Sequence, residues 1–258
     1  MHFTSAQISA AIGSYLWPFF RIAAVIAVAP IFGARTVPVR VRLGLALVLT
    51  MVVAPVLPPA PALDPLSAQG LLVTIQQVLI GSAMGFAILL VFSAFVLGGQ
   101  VFAMQMGLGF ASMVDPQRGV QVPMVSQFYV LFATLVFLSL NGHLILIQVV
   151  ADSFRSMPVA PTGLTTVGIW TLVGWGKQMF AGAVLIALPA IATLMIVNLA
   201  FGVMTRAAPQ LNIFAVGFPI SMTVGFVVMM VMLPTAVPQL QHLVTSVFGM
   251  IQQVLGGP

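Results

Sequence analysis

The side chains that most often perform catalysis or bind metals are few and far apart in this sequence. Its 258 residues include three histidines, His2, His143 and His242, and three aspartates, but no cysteine and no glutamate. None of the histidines has the His-Glu-x-x-His spacing, or any other paired spacing, that brings metal ligands together on one helix. The aspartates lie in turn-like stretches, where initiating a turn is their simpler role. We therefore expect no metal site, no cofactor and no enzymatic activity.

Methionine and glycine instead dominate the stretch AMQMGLGFASMVDPQRG at 103–119, which separates two long apolar runs. Thioether side chains conform to irregular apolar surfaces, and glycine lets the backbone change shape at low steric cost. Such a segment would suit a deformable seal. Its irregular backbone would then have to be buried in protein or line a wet cavity, because lipid offers no hydrogen-bond partners for free backbone N–H and C=O groups. The alternative interpretation is an ordinary cytoplasmic loop.

Two cations lie within apolar runs, Arg21 in LWPFFRIAAVIAV and Lys177 in VGWGKQMFAG. A cation near the middle of a bilayer costs at least about 2.5 kcal/mol, so it normally faces a bundle interior or water. We predict an intersubunit role for Arg21 or a structural one through bonds to backbone carbonyls; pore lining and snorkelling are the alternatives. Lys177 either shares such a role or marks the interfacial end of a helix. Asn198, Gln76 and Gln77 are polar candidates for helix contacts.

The overall composition is typical of a membrane protein. Hydrophobic residues make up 61% of the chain and charged residues 4%, with a mean hydropathy of +1.19, whereas soluble domains have roughly 25% charged residues. Eight basic residues against three acidic ones give a net charge of +5. These cations are scattered and form no basic face, so we expect no nucleic-acid partner. In short membrane loops they would instead set the orientation of the chain.

Six apolar segments are candidate membrane crossings, because each approaches or exceeds the ~20 residues that a helix needs to cross a hydrocarbon core. Basic residues accumulate in cytoplasmic loops, which places Arg35, Arg118 and Arg206 inside and both termini outside if every segment crosses once. Since no Lys or Arg precedes the first segment, we expect no cleaved secretory signal. The segments comprise residues 8–32, 41–57, 66–104, 122–150, 165–205 and 211–233.

Two of these segments, 66–104 and 165–205, are too long for one straight crossing. As continuous helices they would measure about 58 and 60 Å at 1.5 Å per residue. We therefore expect kinked, hairpin-like helices that pack against other subunits. In addition, GSAMG at 81–85 has the small-xxx-small spacing of a close helix contact. The candidate breaks are Gly81, Gly85, Gly98-Gly99, Gly182 and Pro189.

The end of the chain has the pattern of an amphipathic helix over residues 239–255. Apolar side chains recur there with a period of about 3.6 residues, and polar ones occupy the opposite face. The polar face carries no cation, which favours packing against protein; an interfacial helix is the alternative. The predicted apolar face comprises Leu240, Leu243, Val244, Val247, Phe248, Ile251, Val254 and Leu255.

Four stretches together resemble the FliR/SctT family of type III secretion export-gate subunits. They are PIFGARTVPVRVRLGLALVLT at 30–50, GFAILLVFSAFVLGGQVFAMQMGLGFASMVDP at 85–116, LSLNGHLILIQVV at 138–150 and LPAIATLMIVNLAFGVMTRAAPQLNIFAVGFPISMTVG at 188–225. The resemblance covers most of the chain. It implies an all-α, membrane-associated bundle of kinked helical hairpins that forms one export-gate subunit over 1–258. About 1–164 would be FliP-like, and about 165–258 would be FliQ-like.

The resemblance also implies a function and a site. Members of this family join FliP and FliQ in the channel for unfolded flagellar proteins at the basal body, in the bacterial inner membrane, and the assembled complex extends towards the periplasm. FlhB, FlhA and the rod protein FliE are further expected partners, besides membrane lipid. The loop at 105–121 corresponds to the plug of the closed channel, next to a methionine gasket of FliP. Residues that fit the plug are Met104, Gln105, Met106, Gly107, Leu108, Gly109, Phe110 and Met113.

Four polar positions outside the plug are assigned to intersubunit or structural contacts: Arg21, Lys177, Asn198 and Arg206. Two other classes of function stay open on the residues alone. A small-molecule secondary transporter would suit broken helices with cations inside apolar runs, although the scarcity of acidic residues leaves little for ion coupling. A purely structural membrane scaffold would contain the same loop without gating anything.

Overall fold

Helices form nearly all of the regular structure in the computed structural model, which describes residues 5–61, 63–108, 124–208 and 213–256. No strand occurs in these ranges. The predicted all-α, membrane-type fold is confirmed, while the likeness of its two parts to FliP and FliQ stays a prediction. The helices are α1 (Ser5–Val28), α2 (Val39–Val53, extended by the 3-10 turn Ala54–Val56), α3 (Ala68–Gln105), α4 (Met124–Ser139), α5 (Gly142–Ser156), α6 (Thr166–Gly174), α7 (Gly176–Ala207) and α8 (Ile213–Gly256).

Several of these helices are long and apolar enough to cross a membrane. Among the described residues there are five such stretches, and a sixth if the bent pair α4 and α5 counts as one. Helices α6 and α7 together form one of the five, Thr166–Ala207. By length and composition, the structure therefore agrees with the six apolar segments of the sequence.

The fourth apolar segment differs from a single straight crossing. Helices α4 and α5 meet at an angle of 67°. Between them, Asn141 has a left-handed backbone with φ of 57°, a conformation that Asn tolerates better than most residues. The Asn-Gly pair that marks this break is a common turn signal in sequences.

The glycines proposed as breaks in α3 do not interrupt it. This helix runs for 38 residues, or about 57 Å, through Gly81, Gly85 and the Gly98-Gly99 pair. A Cβ at Gly81 would meet the carbonyl oxygen of Arg21, and one at Gly85 would lie 2.8 Å from Cβ of Val28. The predicted break in α3 is therefore wrong, while the predicted small-xxx-small contact is confirmed, because both glycines allow α1 to pack closely.

The segment 165–205 does break, but not at the residues proposed. Gly182 and Pro189 both lie inside α7. The interruption is at Trp175, which lies between the last residue of α6 and the first residue of α7, both glycines. Its indole Nε1 donates a hydrogen bond of 3.2 Å to the Ser246 hydroxyl on α8.

Contacts within the chain divide it into two compact units, each built from separate stretches. Unit 1 comprises Met1–Leu90, Asn141–Gly176 and Val244–Pro258, and unit 2 comprises Val91–Leu140 and Lys177–Leu243. Helices α3 and α8 each contribute to both. The core of unit 1 includes Trp17, Ile22, Met84 and Phe154; that of unit 2 includes Phe95, Phe102, Tyr129, Phe137 and Leu194.

The amphipathic pattern predicted at the end of the chain is confirmed. All eight residues of the predicted apolar face are buried, whereas Gln241, His242 and Thr245 on the other face are exposed. The stripe forms the last part of α8, which begins at Ile213 and contains three prolines. The helix is therefore longer than the pattern alone indicated.

Helices differ sharply in how much of them the chain itself covers. In the apolar 18-residue part of α3 that could cross a membrane, 61% of the residues are buried, against 17% in the corresponding parts of α2 with its 3-10 turn and of α8. The outer faces of α7 and α8 carry large apolar side chains such as Leu199 and Met230, which are 71% and 79% exposed. Apolar surface on this scale requires lipid or other proteins to cover it.

Candidate functional site

Arg21 on α1 is completely buried within unit 1. Its Nε donates a hydrogen bond of 2.8 Å to Oε1 of Gln77 on α3. Its Nη1 donates to the carbonyl and hydroxyl oxygens of Ser153 at 3.0 and 3.1 Å, and its Nη2 donates to the Met157 carbonyl at 2.9 Å. The guanidinium also lies 4.0 Å above the centre of the Phe154 ring. One cation thus joins α1, α3 and the end of α5.

The backbone carbonyls that bind Arg21 belong to the C-terminus of α5. The last carbonyls of a helix have no partners inside the helix, and they form the negative end of its dipole. Met157 is the capping residue of α5, and its amide donates to the same Ser153 carbonyl at 2.9 Å. Arg21 therefore acts as a buried cap for this helix, which offsets part of the cost of burying its charge.

No carboxylate neutralises Arg21 in the described part of the chain. The one ion pair that occurs there joins Arg155 and Asp152 over 4.0 Å, and both side chains are mostly exposed. Backbone and side-chain dipoles together with an aromatic face compensate the buried charge instead. Unit 1 buries the guanidinium, and the hydrogen-bond partners described for Arg21 all belong to the same chain.

The other three polar positions assigned from the sequence lie on the surface of α7. Lys177 is near its first residue, Asn198 is in its second half, and Arg206 is in its last turn. All three side chains are exposed. Arg206 suits the negative end of the helix dipole. The structure does not bring these three residues together with one another, and their intersubunit role stays a prediction.

The end of α3 is built by a glycine-dependent turn. The Gly107 amide donates to the Met104 carbonyl at 3.0 Å, and the Leu108 amide donates to the Ala103 carbonyl at 3.0 Å. These two bonds and the positive φ of 81° at Gly107 define a Schellman motif. Gly107 thus ends the helix, because an L side chain would be strained at this φ.

Met106 lies just before that glycine and is completely buried. It packs against Gly225 on α8, where an added Cβ would lie 2.5 Å from Cγ, 2.9 Å from Cε and 3.0 Å from Sδ of Met106. The ring of Phe218, also on α8, lies 3.2 Å from the position that a Cβ on Gly107 would take. All four residues belong to unit 2. The end of α3 is therefore seated on α8 by a methionine that packs where Gly225 has no side chain.

The structure separates the residues predicted for the plug. Met106 is buried, Met104 is 61% exposed, and Gln105 is intermediate. Gly107 and Leu108 form the turn described above. Gly109, Phe110 and Met113, like most of the predicted loop 105–121, lie outside the described residues.

No group of three or more potential metal-ligating side chains occurs in the part of the chain that the structure describes. His143 and His242, the described histidines, lie on different helices, α5 and α8. The features that stand out in the described residues are thus a buried cation on α1 and a methionine contact between the end of α3 and α8.

Comparison with known proteins shows to which family the chain belongs. A family model described as bacterial export proteins, family 1, matches residues 12–247. The chain belongs to this family. Among curated export proteins, it is 38% identical to flagellar biosynthetic protein FliR of Escherichia coli (strain K12), over 98% of this chain and 96% of the relative. It is also 38% identical to FliR of Pectobacterium carotovorum, over 95% and 93%.

More distant FliR proteins match this export protein over much of its length as well. FliR of Bacillus subtilis (strain 168) is 31% identical over 84% of this chain and 85% of the relative. The chain is therefore an export-family membrane protein related to FliR over nearly its whole length. The predicted resemblance to this family is confirmed.

Sequence reasoning missed most of the partners that define the two sites. Gln77 was named as a polar contact, but Ser153, Phe154 and Met157 were not connected with Arg21. The notch at Gly225 was also missed. Its only signal was a glycine within an apolar helical run, which marks a close contact without showing what fills it.

Proposed function

We propose that this chain is a core subunit of the flagellar type III secretion export gate and forms, with FliP and FliQ, the channel for unfolded flagellar proteins. The observation that carries the proposal is the full-length similarity to relatives named flagellar biosynthetic protein FliR. FlhB, FlhA and the rod protein FliE are the further partners. In this proposal the subunit sits in the inner membrane at the basal body, and the complex extends towards the periplasm.

The exposed helices support assembly with other proteins. A chain that met only lipid would have no need for an exposed Asn198 among apolar neighbours such as Met195 and Leu199 on α7, because the amide would lack a partner in hydrocarbon. A helix from another subunit can satisfy such a group. We assign Lys177, Asn198 and Arg206 to these contacts. We also propose that the FliP-like part ends, and the FliQ-like part begins, near residue 164.

The loop 105–121 is the proposed plug of the channel at rest. Its methionine and glycine content supports this proposal, and so does the way in which its first residues pack at the end of α3. Met106 is seated on α8, and Gly107 turns the chain away from the axis of α3. Transport needs no chemistry in this subunit, so we propose a non-enzymatic role in which the loop moves aside for substrate.

Purification of the tagged chain in mild detergent tests the assembly. We expect FliP and FliQ to copurify and a native mass that corresponds to a defined complex. The purified chain alone should accumulate no small substrate in liposomes, which separates the proposal from a secondary transporter. Recovery of the chain as a solitary protein from cells that contain FliP and FliQ contradicts the proposal.

Replacement of 109–113 by a Gly-Ser stretch of equal length tests the plug. The replacement begins after Leu108, so that the turn closing α3 is preserved. We expect the assembled complex to conduct KCl in planar bilayers more than the unchanged complex does. A matched Gly-Ser replacement of 58–62, in the Pro-rich loop between α2 and α3, should leave the conductance unchanged. Equal conductance of the 109–113 variant and the unchanged complex rejects the plug and favours a scaffold.

A further inference from the structure

The contact between Met106 and Gly225 has the form of a knob in a notch. Met106 has no exposed surface, and its Cγ, Sδ and Cε atoms all lie within 3.0 Å of the position of a Cβ at Gly225. A Cβ at 225 would require the Met106 side chain to shift, because real Cβ contacts are not that short. The thioether thus occupies the space that a side chain at position 225 would need.

The knob occupies a mechanically sensitive position. Met106 directly follows Gln105, the last residue of α3, and the next residue, Gly107, has the left-handed backbone that turns the chain. Phe218 lies on the same face of α8 as Gly225, and its ring packs beside Gly107. A shift of the Met106 backbone away from α8 would move the last turn of α3 and the turn at Gly107.

We propose that Met106 in the Gly225 notch is a latch, which holds the last turn of α3 against α8 in the closed gate and must open for export. Gly225 and Phe218 act as positioning residues in this arrangement, since they would act through the end of α3. The proposal rests on the proposed function, because it names what holds the plug in place. A methionine suits a contact that opens and closes repeatedly, since its side chain is flexible and adapts to more than one surface.

The chain offers a direct test because it contains no cysteine. A Cβ at Gly225 lies 2.5 Å from Met106 Cγ, which is itself about 1.5 Å from Met106 Cβ. The two Cβ atoms are then at most about 4.0 Å apart, within the range that a disulfide spans. The double variant Met106→Cys with Gly225→Cys can therefore lock the latch by oxidation.

The experiment uses cells in which this variant replaces the natural chain within its complex. We expect flagellar proteins to be exported under reducing conditions, export to stop after oxidation with diamide, and export to resume after reduction with dithiothreitol. The single variants Met106→Cys and Gly225→Cys are the controls for oxidation, and the level of export that each one shows should not change when diamide is added. Mass spectrometry of the linked peptides establishes that the disulfide has formed. Undiminished export with the disulfide formed overturns the latch, because a purely structural contact would tolerate the link.

A second arm uses side-chain size and does not depend on oxidation. Met106→Ala empties the notch, and loss of a buried methionine shifts a two-state equilibrium by about tenfold or more. We expect Met106→Ala and Gly225→Ala each to raise the KCl conductance of the assembled complex. The double variant should fall back towards the natural conductance, because the new methyl group fills the vacated space. Gly202→Ala and Met230→Ala, at exposed positions in unit 2, are the matched controls.

The two arms separate failure of the latch from failure of the plug. If the 109–113 replacement conducts but neither Met106→Ala nor the disulfide has an effect, the latch is overturned and the plug stands. If the disulfide blocks export but the replacement does not conduct, the end of α3 moves during export and the plug assignment fails. If Gly225→Ala prevents assembly, recovery of assembly in the double variant Met106→Ala with Gly225→Ala supports the contact. The conductance of Met106→Ala then decides by itself whether the contact affects the gate.

Discussion

Replacement of Arg21 by alanine removes the cation that joins three helices of unit 1. The change leaves Oε1 of Gln77 and the Met157 carbonyl without the hydrogen bonds that they accept from Arg21. Ser153 is less affected, because its carbonyl still accepts from the Met157 amide. Each buried acceptor without a partner costs about 1–3 kcal/mol, and the space left by the side chain adds a cavity cost. We expect the free energy of unfolding to fall by about 3–5 kcal/mol.

The assay is unfolding of the purified full-length chain by SDS in mixed micelles, followed by circular dichroism. Arg155→Ala is the matched control, since Arg155 is 71% exposed and pairs with Asp152 only at 4.0 Å. Such an exposed pair contributes little, so the control should lie within about 0.5 kcal/mol of the natural chain. Arg21→Lys should fall between the two, because one ammonium group cannot reproduce the forked contacts of a guanidinium. If Arg21→Ala and Arg155→Ala unfold at the same SDS concentration, Arg21 is not a structural cap.

Substitutions at Gly81, Trp175 and Asn141 test other contacts by the same unfolding measurement. Gly81→Ala should destabilise the chain, because its Cβ would meet the backbone of α1. Gly44→Ala is the control: this position has open space around it, so the change should be neutral or stabilising by up to about 1 kcal/mol. Equal effects of the two changes would argue against close packing of α1 and α3. Trp175→Phe should cost about 1 kcal/mol through loss of the bond to Ser246, and no change would show that this bond is not formed. Asn141→Gly should be tolerated and Asn141→Val should cost about 1–2 kcal/mol, because φ is 57° at this position; the reverse order would contradict the left-handed turn.

Periodic features of the sequence were predictable because they depend on neighbouring residues. The stripe from Leu240 to Leu255 follows from spacing alone, since residues three and four apart share a face of a helix. The close contact at Gly81 and Gly85 follows from the same geometry. By contrast, neither the length of α8 nor its passage through Pro219, Pro234 and Pro238 follows from local rules, because packing against neighbours compensates for the lost hydrogen bonds.

The sites were predictable only in part. Arg21 stood out because a cation in an apolar run requires compensation, but its acceptors lie 56, 132 and 136 residues away along the chain. Their identity depends on how the helices pack, which periodicity does not encode. Likewise, the methionines at 104 and 106 look equivalent in sequence. Only the position of Gly225 on α8 makes one of them a buried knob and leaves the other at the surface.

The sharp turn at Asn141 affects how the chain can enter a membrane. Helix α4 has 16 residues and α5 has 15, which correspond to about 24 and 22 Å. Neither rod reaches across a hydrocarbon layer of about 30 Å by itself. Insertion machinery would therefore have to accept the two as one extended stretch, and the elbow would form only afterwards, once neighbouring protein shelters the shortened ends.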